Sequence, residues 1–264
     1  MKNILNSPIK WVGGKRLLRS KIIPLIPKGS CYVEVFGGAG WVLFGKDPKL
    51  HKCEVYNDIN GEVVNFFRVL KQDYESFIKN FEYLLSSREI FDLLKYQDPS
   101  GLNDVQKAFR FWYLLKYAYG GRKNQLSDYN FGYGNNRKPS LPIKQKELID
   151  KCYERLQGVY VENLDYKILI QKYDGQDTIF YLDPPYLVEG KCYGQDDFTE
   201  EQHSELAIVL NNIKGRFILT VNDHEFFRGL YVRFTKTLEG VNYSSGNANK
   251  AQGKRGELII RNFN

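Results

Sequence analysis

One short segment of the sequence joins an apolar run directly to a carboxylate, two prolines and an aromatic ring. It spans residues 178–186 and has the sequence TIFYLDPPY. An apolar run without polar alternation is typical of a strand buried on both faces of a parallel sheet. The prolines end that strand because they lack an amide N–H, and Pro185 favours an extended Pro184. Asp183 is therefore predicted at the carboxyl end of a central strand, where open α/β sheets place their ligands.

Three groups of this segment suit an exocyclic amine on a flat ring. The Asp183 carboxylate and the Pro184 carbonyl can each accept one N–H, and the Tyr186 ring can stack on the base. Two fixed acceptors would draw the nitrogen towards tetrahedral geometry and localise its lone pair. We therefore predict that Asp183, Pro184 and Tyr186 are catalytic at an amine such as that of adenine or cytosine. The alternative is a plain Pro-Pro turn in which Asp183 is only a cap.

The N-terminal segment 9–16 places an aromatic ring and a cation on either side of a glycine pair. Its sequence is IKWVGGKR, and glycines allow the backbone to approach a ligand closely. Trp11 offers an aromatic face, and Lys15 offers a cation that could meet a carboxylate. An ordinary turn with a half-buried tryptophan is the alternative.

A strand, a glycine turn and the start of a helix follow at residues 31–44, which is the nucleotide-binding arrangement. The turn itself is residues 37–40, GGAG. The full GxGxxG pattern is absent because Leu43 occupies the third glycine position. The full pattern serves a pyrophosphate, and S-adenosylmethionine (SAM) has none, so the shorter turn suits SAM better.

An acid stands at the spacing expected for a ribose contact. A second strand is predicted over residues 53–56, and Asp58 follows about 20 residues after the glycine turn. Asp58 could instead cap the helix that comes next. The glycine turn and the acid together favour the ribose role.

Composition bounds the class of protein. The 264 residues are 42% hydrophobic and 26% charged, which predicts a soluble globular protein with a full core. A net charge of +7 and 15% aromatic residues favour a polyanionic partner. The four cysteines and three histidines show no metal-ligand spacing. No apolar leader or membrane span is evident, so a soluble intracellular protein is the simplest interpretation.

The middle of the chain differs from both ends. From residue 61 to 157 apolar residues recur at helical spacing and no strand pattern interrupts them. We therefore predict a catalytic α/β domain made of residues 1–60 and 158–264, with a mostly helical domain inserted at 61–157. In the second half, Thr199 begins a capping box, Asp165 can cap a helix, and the C-terminal strands are predicted to form a hairpin.

Two basic segments suit contact with nucleic acid. Residues 122–138 alternate basic, amide and aromatic side chains, the types that read base edges and hold phosphates. Residues 244–255 are small, polar and basic. A solvated loop is the alternative for both segments. The positions that we expect to contact DNA are Arg122, Lys123, Asn124, Tyr129, Arg137, Lys138, Lys254 and Arg255.

In their order, these motifs resemble those of the Dam-type (D12 class) DNA adenine-N6 methyltransferases. Residues 9–15 are similar to the family's WxGGK motif, residues 33–40 to its ExFxGxG motif, residues 57–60 to its NDxN segment, and residues 183–186 to its DPPY. The segments that also fall in the family's order are Phe198-Thr199, His203, Asn222-Asp223 and Glu257-Leu258-Ile259.

The resemblance implies a Rossmann-like, SAM-dependent methyltransferase sheet with an inserted, mostly helical target-recognition domain. It implies methyl transfer from SAM to N6 of an adenine in a short sequence of double-stranded DNA, without a metal. The adenine must be flipped out of the duplex. The cofactor contacts that it implies are Trp11, Lys15, Phe36, Gly38, Gly40, Asp58 and Asp183.

The motifs constrain the DNA sequence that is recognised less than they constrain the reaction. Members that methylate GATC carry a Leu-Asn pair and then a GLxRxN-like segment, whereas residues 114–124 here are LLKYAYGGRKN, so GATC is not predicted. Other hypotheses are cytosine-N4 methylation, methylation of RNA or a protein amide, and a catalytically silent DNA-binding relative. A cognate restriction endonuclease that acts on the same site is compatible with this interpretation.

Overall fold

The structure, a computed structural model, describes residues 4–11, 15–118, 130–132, 142–187, 198–241 and 255–264. Within these ranges the strands are β1 Cys31–Glu34, β2 Cys53–Asn57, β3 Val159–Glu162, β4 Thr178–Leu182, β5 Arg216–Asn222, β6 Thr235–Val241 and β7 Arg255–Arg261. The α-helices are α1 Arg19–Ile22, α2 Trp41–Gly45, α3 Gly61–Gln72, α4 Tyr74–Ile78, α5 Arg88–Tyr96, α6 Asp104–Tyr117, α7 Pro142–Leu156, α8 Tyr166–Tyr173, α9 Glu200–Asn212 and α10 Glu225–Leu230.

The strands form one seven-stranded sheet in the order β3-β2-β1-β4-β5-β7-β6. The first five strands in that order are parallel, and β7 pairs antiparallel with both β5 and β6. The strand order reverses between β1 and β4, where Glu34 lies opposite Tyr181. The carboxyl ends of these two strands therefore meet at the switch point of the sheet, the usual place for a ligand. The predicted central position of β4 is confirmed.

Each face of the sheet has its own core, because successive strand residues point to opposite faces. Tyr32 and Tyr181 pack with α3 and α6 on one face, which we call the tyrosine face. Val33, Phe180 and Leu182 pack with α8 and α9 on the other face. All five residues of β4 are buried, which explains why its sequence shows no polar alternation.

The segment between β2 and β3 is helical, and α3, α6 and α7 contribute to the same core as the tyrosine face. Helix α3 begins at Asn60, whose side chain accepts hydrogen bonds from two backbone amides. Helix α6 begins with a capping box of Asn103 and Gln106. A separate target-recognition domain over residues 61–157 stays a prediction.

The local signals of the second half are confirmed. Asp165 caps α8, accepting from the Lys167 amide at 2.8 Å. Thr199 and Gln202 form the capping box of α9. Strands β6 and β7 pair as predicted for the C-terminal hairpin. Across the described ranges, no helix has the length and apolarity needed to cross a membrane.

Candidate active site

Four polar side chains of the tyrosine face lie where β1, β4, β5 and β7 come together. Glu34 ends β1, Asp183 follows β4, Thr220 lies in β5, and Glu257 lies near the start of β7. Each has the strand parity that points towards α3 and α6 rather than towards α9. The sheet therefore carries an acidic patch of Glu34, Asp183 and Glu257 at its switch point.

Asp183 is held by two donors on the same oxygen. The Lys15 Nζ lies 2.7 Å from Oδ1, and the Thr220 hydroxyl donates to Oδ1 at 2.9 Å. Burial raises the pKa of Asp183, whereas the Lys15 ammonium and the Thr220 hydroxyl pull it down. The side chain is 16% exposed, so the carboxylate remains within reach of a substrate. With Oδ1 occupied, Oδ2 is the oxygen that can accept an N–H from a ligand.

Lys15 is buried, with only 4% of its surface exposed. Its Nζ also lies 4.0 Å from Glu257 Oε2 and 4.5 Å from the centre of the Tyr186 ring. A buried ammonium needs such partners, since leaving water uncompensated costs several kcal/mol or more. The cation that the sequence placed beside a glycine pair therefore meets the carboxylate of the DPPY segment.

The DPPY segment itself forms an irregular turn with three different environments. Pro184 is buried, Pro185 is exposed, and Tyr186 is half-buried with its hydroxyl group enclosed. Burial raises the pKa of Tyr186 well above its usual value, and the nearby carboxylates of Asp183 and Glu257 raise it further. The phenol therefore stays protonated, and its ring is the surface that a base could stack on.

The glycine turn after β1 is built around positive φ angles. Gly38 has φ +47° and Gly40 has φ +66°, a region that favours glycine. A Cβ on Gly38 would also lie 2.9 Å from the Trp11 Nε1. The Tyr56 hydroxyl donates to the Gly38 carbonyl at 2.6 Å. Trp11 and Gly38 are thus in contact, as expected of two cofactor-binding positions, and Gly40 begins α2.

Asp58 fixes this turn from the adjacent strand. Its Oδ2 accepts a hydrogen bond from the Gly38 amide at 2.7 Å, and its Oδ1 accepts one from the Asn60 amide at 2.8 Å. Asn60 rather than Asp58 caps α3, so the alternative role of Asp58 as helix cap is wrong. The ribose contact stays a prediction.

Phe36 lines the other side of the turn. Its ring lies 5.7 Å from that of Tyr166 and 5.6 Å from that of Phe198. Phe198 in turn contacts the His203 ring, which has no exposed surface. Burial lowers the pKa of His203 to about 4, although the nearby Pro185 carbonyl pulls it up, so the imidazole is neutral. An aromatic cluster therefore supports the DPPY turn from the second face of the sheet.

Nearly all residues predicted to contact DNA lie outside the described ranges. Arg122, Lys123, Asn124, Tyr129, Arg137, Lys138 and Lys254 lie outside the described residues, and only the backbone of Arg255 is described. Within the described ranges, no three His, Cys, Asp or Glu side chains are grouped to hold a metal ion.

Sequence reasoning did not name Thr220, Glu257 or Glu34 as site residues, although Glu34 and Glu257 fall within segments that resemble the family's. Thr220 has no exposed surface, and it is a polar residue within the apolar strand sequence RFILTVN. Glu257 and Glu34 are acids within or at the end of buried strands. A buried polar residue in a strand requires a partner, and that signal was available in the sequence. The sequence did not show which residue that partner is.

The described groups fit SAM. Three features lie along one edge of the sheet. They are the Trp11 ring against the glycine turn, the Asp58 carboxylate after β2 and the Asp183 carboxylate after β4. The strand order 3-2-1-4-5-7-6, with this turn after β1, defines a Rossmann-like nucleotide-binding sheet. Comparison with known proteins then identifies the family. The chain belongs to the D12 class N6 adenine-specific DNA methyltransferases, whose family model matches residues 11–244.

Several relatives cover nearly the same length. The chain is 27% identical to the retron Ec67 DNA adenine methylase of Escherichia coli, over 94% of this chain and 89% of that protein. It is 28% identical to the type II methyltransferase M1.LlaDCHI of Lactococcus lactis subsp. cremoris, over 96% and 94%. It is 29% identical to the DNA adenine methylase of Escherichia coli K12, over 82% and 80%. The chain is accordingly a DNA adenine methyltransferase.

Proposed function

We propose that the reaction takes place at the switch point of the sheet, with Asp183, Pro184 and Tyr186 as the catalytic residues and the N6 amine of a DNA adenine as the nucleophile. The observation that carries the proposal is the Asp183 carboxylate, which Lys15 and Thr220 hold through Oδ1. Oδ2 can then accept one N–H of the amine, and the Pro184 carbonyl accepts the other. The Tyr186 ring stacks on the base.

This arrangement addresses the weakness of the nucleophile. The lone pair of an aromatic amine is delocalised into the ring, and two fixed acceptors favour the geometry in which the pair is localised. Most of the catalytic effect then comes from the orientation of two bound reactants. The alkylated nitrogen is cationic and releases a proton. Burial raises the pKa of Asp183, which makes this carboxylate a better acceptor for that proton.

SAM would supply an electrophilic methyl group on a sulfonium. Trp11, Phe36, Gly38 and Gly40 would hold it at the glycine turn. Asp58 would contact its ribose, because a carboxylate oxygen has a second lone pair beyond the one that the Gly38 amide engages. Lys15 and Asp183 would border it on the side of the target base.

Double-stranded DNA is the proposed substrate, and its target adenine must leave the base stack to reach Asp183. The basic, amide and aromatic composition of residues 122–138 and the net charge of +7 support a DNA-contact role for that segment and for Lys254 and Arg255. The similarity to a protein named as a type II methyltransferase supports a cognate restriction endonuclease for the same site. Relatives from bacteria support a place in the cytoplasm of a bacterial or phage-infected cell.

The test is methyl transfer from labelled SAM to duplex DNA of mixed sequence, followed by nucleoside digestion and mass spectrometry. N6-methyladenine is the expected product. N4-methylcytosine would keep the amine chemistry and refute adenine as the target. A protein that binds SAM but leaves DNA unlabelled would refute DNA as the substrate.

A further inference from the structure

Glu257 is a second carboxylate beside Lys15. It lies opposite Asn222 at the start of the pairing between β5 and β7, and only 1% of its surface is exposed. Its Oε2 is 4.0 Å from the Lys15 Nζ. Neither oxygen accepts a hydrogen bond of good geometry from a described residue, although the Tyr186 hydroxyl lies close enough to lower the pKa of Glu257 against the effect of burial, which raises it. A glutamate this deeply buried is rare unless it has a partner, and the ammonium of Lys15 is the cation that lies nearest to it among the described residues.

The charges of this cluster do not cancel. Lys15 is one ammonium between two carboxylates, at 2.7 Å from Asp183 and 4.0 Å from Glu257. If Lys15 were paired with Asp183 alone, the pair would be neutral, because the ammonium would largely compensate the negative charge of Asp183. Burial raises the pKa of Glu257, whereas the Lys15 ammonium beside it lowers that pKa. In its ionised form, Glu257 gives the cluster a surplus negative charge. That charge would stabilise a cation that develops at the substrate nitrogen.

We propose that Glu257 is a positioning residue that holds and neutralises the Lys15 ammonium, so that Asp183 keeps its negative charge for the target amine. The proposal rests on the proposed function, because it concerns the same amine. Glu257 need not touch the substrate. It acts through Lys15, whose Nζ it holds between the two carboxylates and over the Tyr186 ring.

The competing explanation is that Glu257 only stabilises the fold. A variant that lacks the Lys15 ammonium distinguishes the two explanations. If Glu257 acts through the ammonium, its removal matters only while that ammonium is present. A double-mutant cycle measures this dependence directly, because residues in contact are non-additive whereas independent ones add. The cycle consists of the wild type, Glu257→Gln, Lys15→Met and the double variant, assayed by single-turnover methyl transfer to duplex DNA.

The matched control is Glu239→Gln. Glu239 is the partner of Glu257 across the β6–β7 ladder, but its side chain is 25% exposed and faces Lys21 at 3.8 Å. The same chemical change is thus made one strand away from the site. We expect Glu239→Gln to keep the single-turnover rate within about twofold of wild type, since an exposed pair contributes little.

The expected result for Glu257→Gln is a rate loss of at least about tenfold, as for removal of one preorganised electrostatic group. The SAM dissociation constant, the DNA concentration at half-maximal rate and the thermal midpoint should change little. In the Lys15→Met background the same substitution should cause no further loss. Glu257→Asp, which keeps the charge, should recover most of the rate. Glu257→Ala, which also removes the charge, takes the place of Glu257→Gln in the cycle if the glutamine variant does not fold.

Three outcomes would overturn the proposal. The Glu257→Gln variant could react as fast as Glu239→Gln, or the substitution could lower the rate equally with and without the Lys15 ammonium. The Glu257→Asp variant could also react as slowly as the glutamine variant. Wild-type activity is measured in the same experiment. A wild type that does not methylate adenine refutes the proposed function itself, whereas an active wild type with an unaffected Glu257→Gln refutes only the role of Glu257.

Discussion

Two buried lysines lie on the tyrosine face of the sheet, and their surroundings differ in one instructive way. Lys46 pairs with Glu54, and Arg155 donates two further hydrogen bonds to the same carboxylate at 2.6 and 2.7 Å. That cluster has two cations and one carboxylate. The Lys15 cluster has one cation and two carboxylates, Asp183 and Glu257.

The Lys46 cluster joins three elements of the fold. Lys46 follows α2, Glu54 belongs to β2, and Arg155 belongs to α7 and also donates to the Leu43 carbonyl at 3.0 Å. Both oxygens of Glu54 are engaged. In the Lys15 cluster, Asp183 Oδ2 accepts no hydrogen bond from a described residue, and the Glu257 oxygens accept none of good geometry. A closed ion cluster suits architecture, whereas an open acidic one suits a ligand that brings positive charge.

Of the substitutions that distinguish the two clusters, we expect Asp183→Asn to have the largest effect, and that effect is on turnover. The substitution keeps the shape of the side chain but removes its charge, so the amine loses its charged acceptor and Lys15 loses its nearer counter-ion. We expect turnover to fall by at least about 10³-fold, near 4 kcal/mol of transition-state stabilisation. DNA binding should persist, as measured by fluorescence anisotropy. Turnover within tenfold of wild type would remove Asp183 from the chemistry.

The Lys46 cluster should show the reverse pattern, with a large effect on stability and a small one on catalysis. Glu54→Gln leaves two buried cations without their carboxylate, so the free energy of unfolding should fall by about 3 kcal/mol. Urea unfolding measures this loss. The control is Glu205→Gln, which breaks an exposed pair with Lys167 and should cost less than about 0.5 kcal/mol. An equal effect in the two variants would contradict a structural role for the cluster.

Glu34 lies between the two clusters, and its ionisation is expected to change the free energy of unfolding with pH by a smaller amount. It accepts a hydrogen bond from the Tyr32 hydroxyl at 2.8 Å, and the Tyr32 ring lies beneath Lys46. Burial raises the pKa of Glu34 to about 8, from 4.5, against the opposing hydrogen bonds. The folded state therefore holds a proton that the unfolded state has released above pH 4.5. Its stabilising contribution is complete below that pH and is lost as the pH rises through about 8.

We expect this group to lower stability by roughly 2 kcal/mol between pH 6 and pH 8. Glu34→Gln is neutral at every pH, so the variant should lose less stability over that interval than wild type. Urea unfolding of both proteins at the two pH values measures the difference. Identical pH dependence in wild type and variant would show that Glu34 has no raised pKa in the folded protein.

The local elements were predictable because short-range rules determine them. The apolar run before Asp183 predicted a buried central strand, and the glycine turn at 37–40 predicted a bend between β1 and α2. Capping residues predicted the starts of α8 and α9. Asp58 was placed correctly after β2, but its hydrogen bonds to the Gly38 and Asn60 amides were not foreseen. They depend on how two neighbouring strands end relative to one another.

The sequence by itself determined the type of chemistry. A carboxylate, a proline carbonyl and an aromatic ring in four consecutive residues suit an amine, whatever surrounds them. Only the tertiary structure decided which distant groups support that carboxylate. Thr220 reaches Asp183 because β5 adjoins β4, and β7 brings Glu257 to the same place. Lys15 comes from the segment before α1 and lies near both carboxylates. Strand order and register arise from packing of the whole chain, and the period-two pattern of one strand does not specify its neighbours.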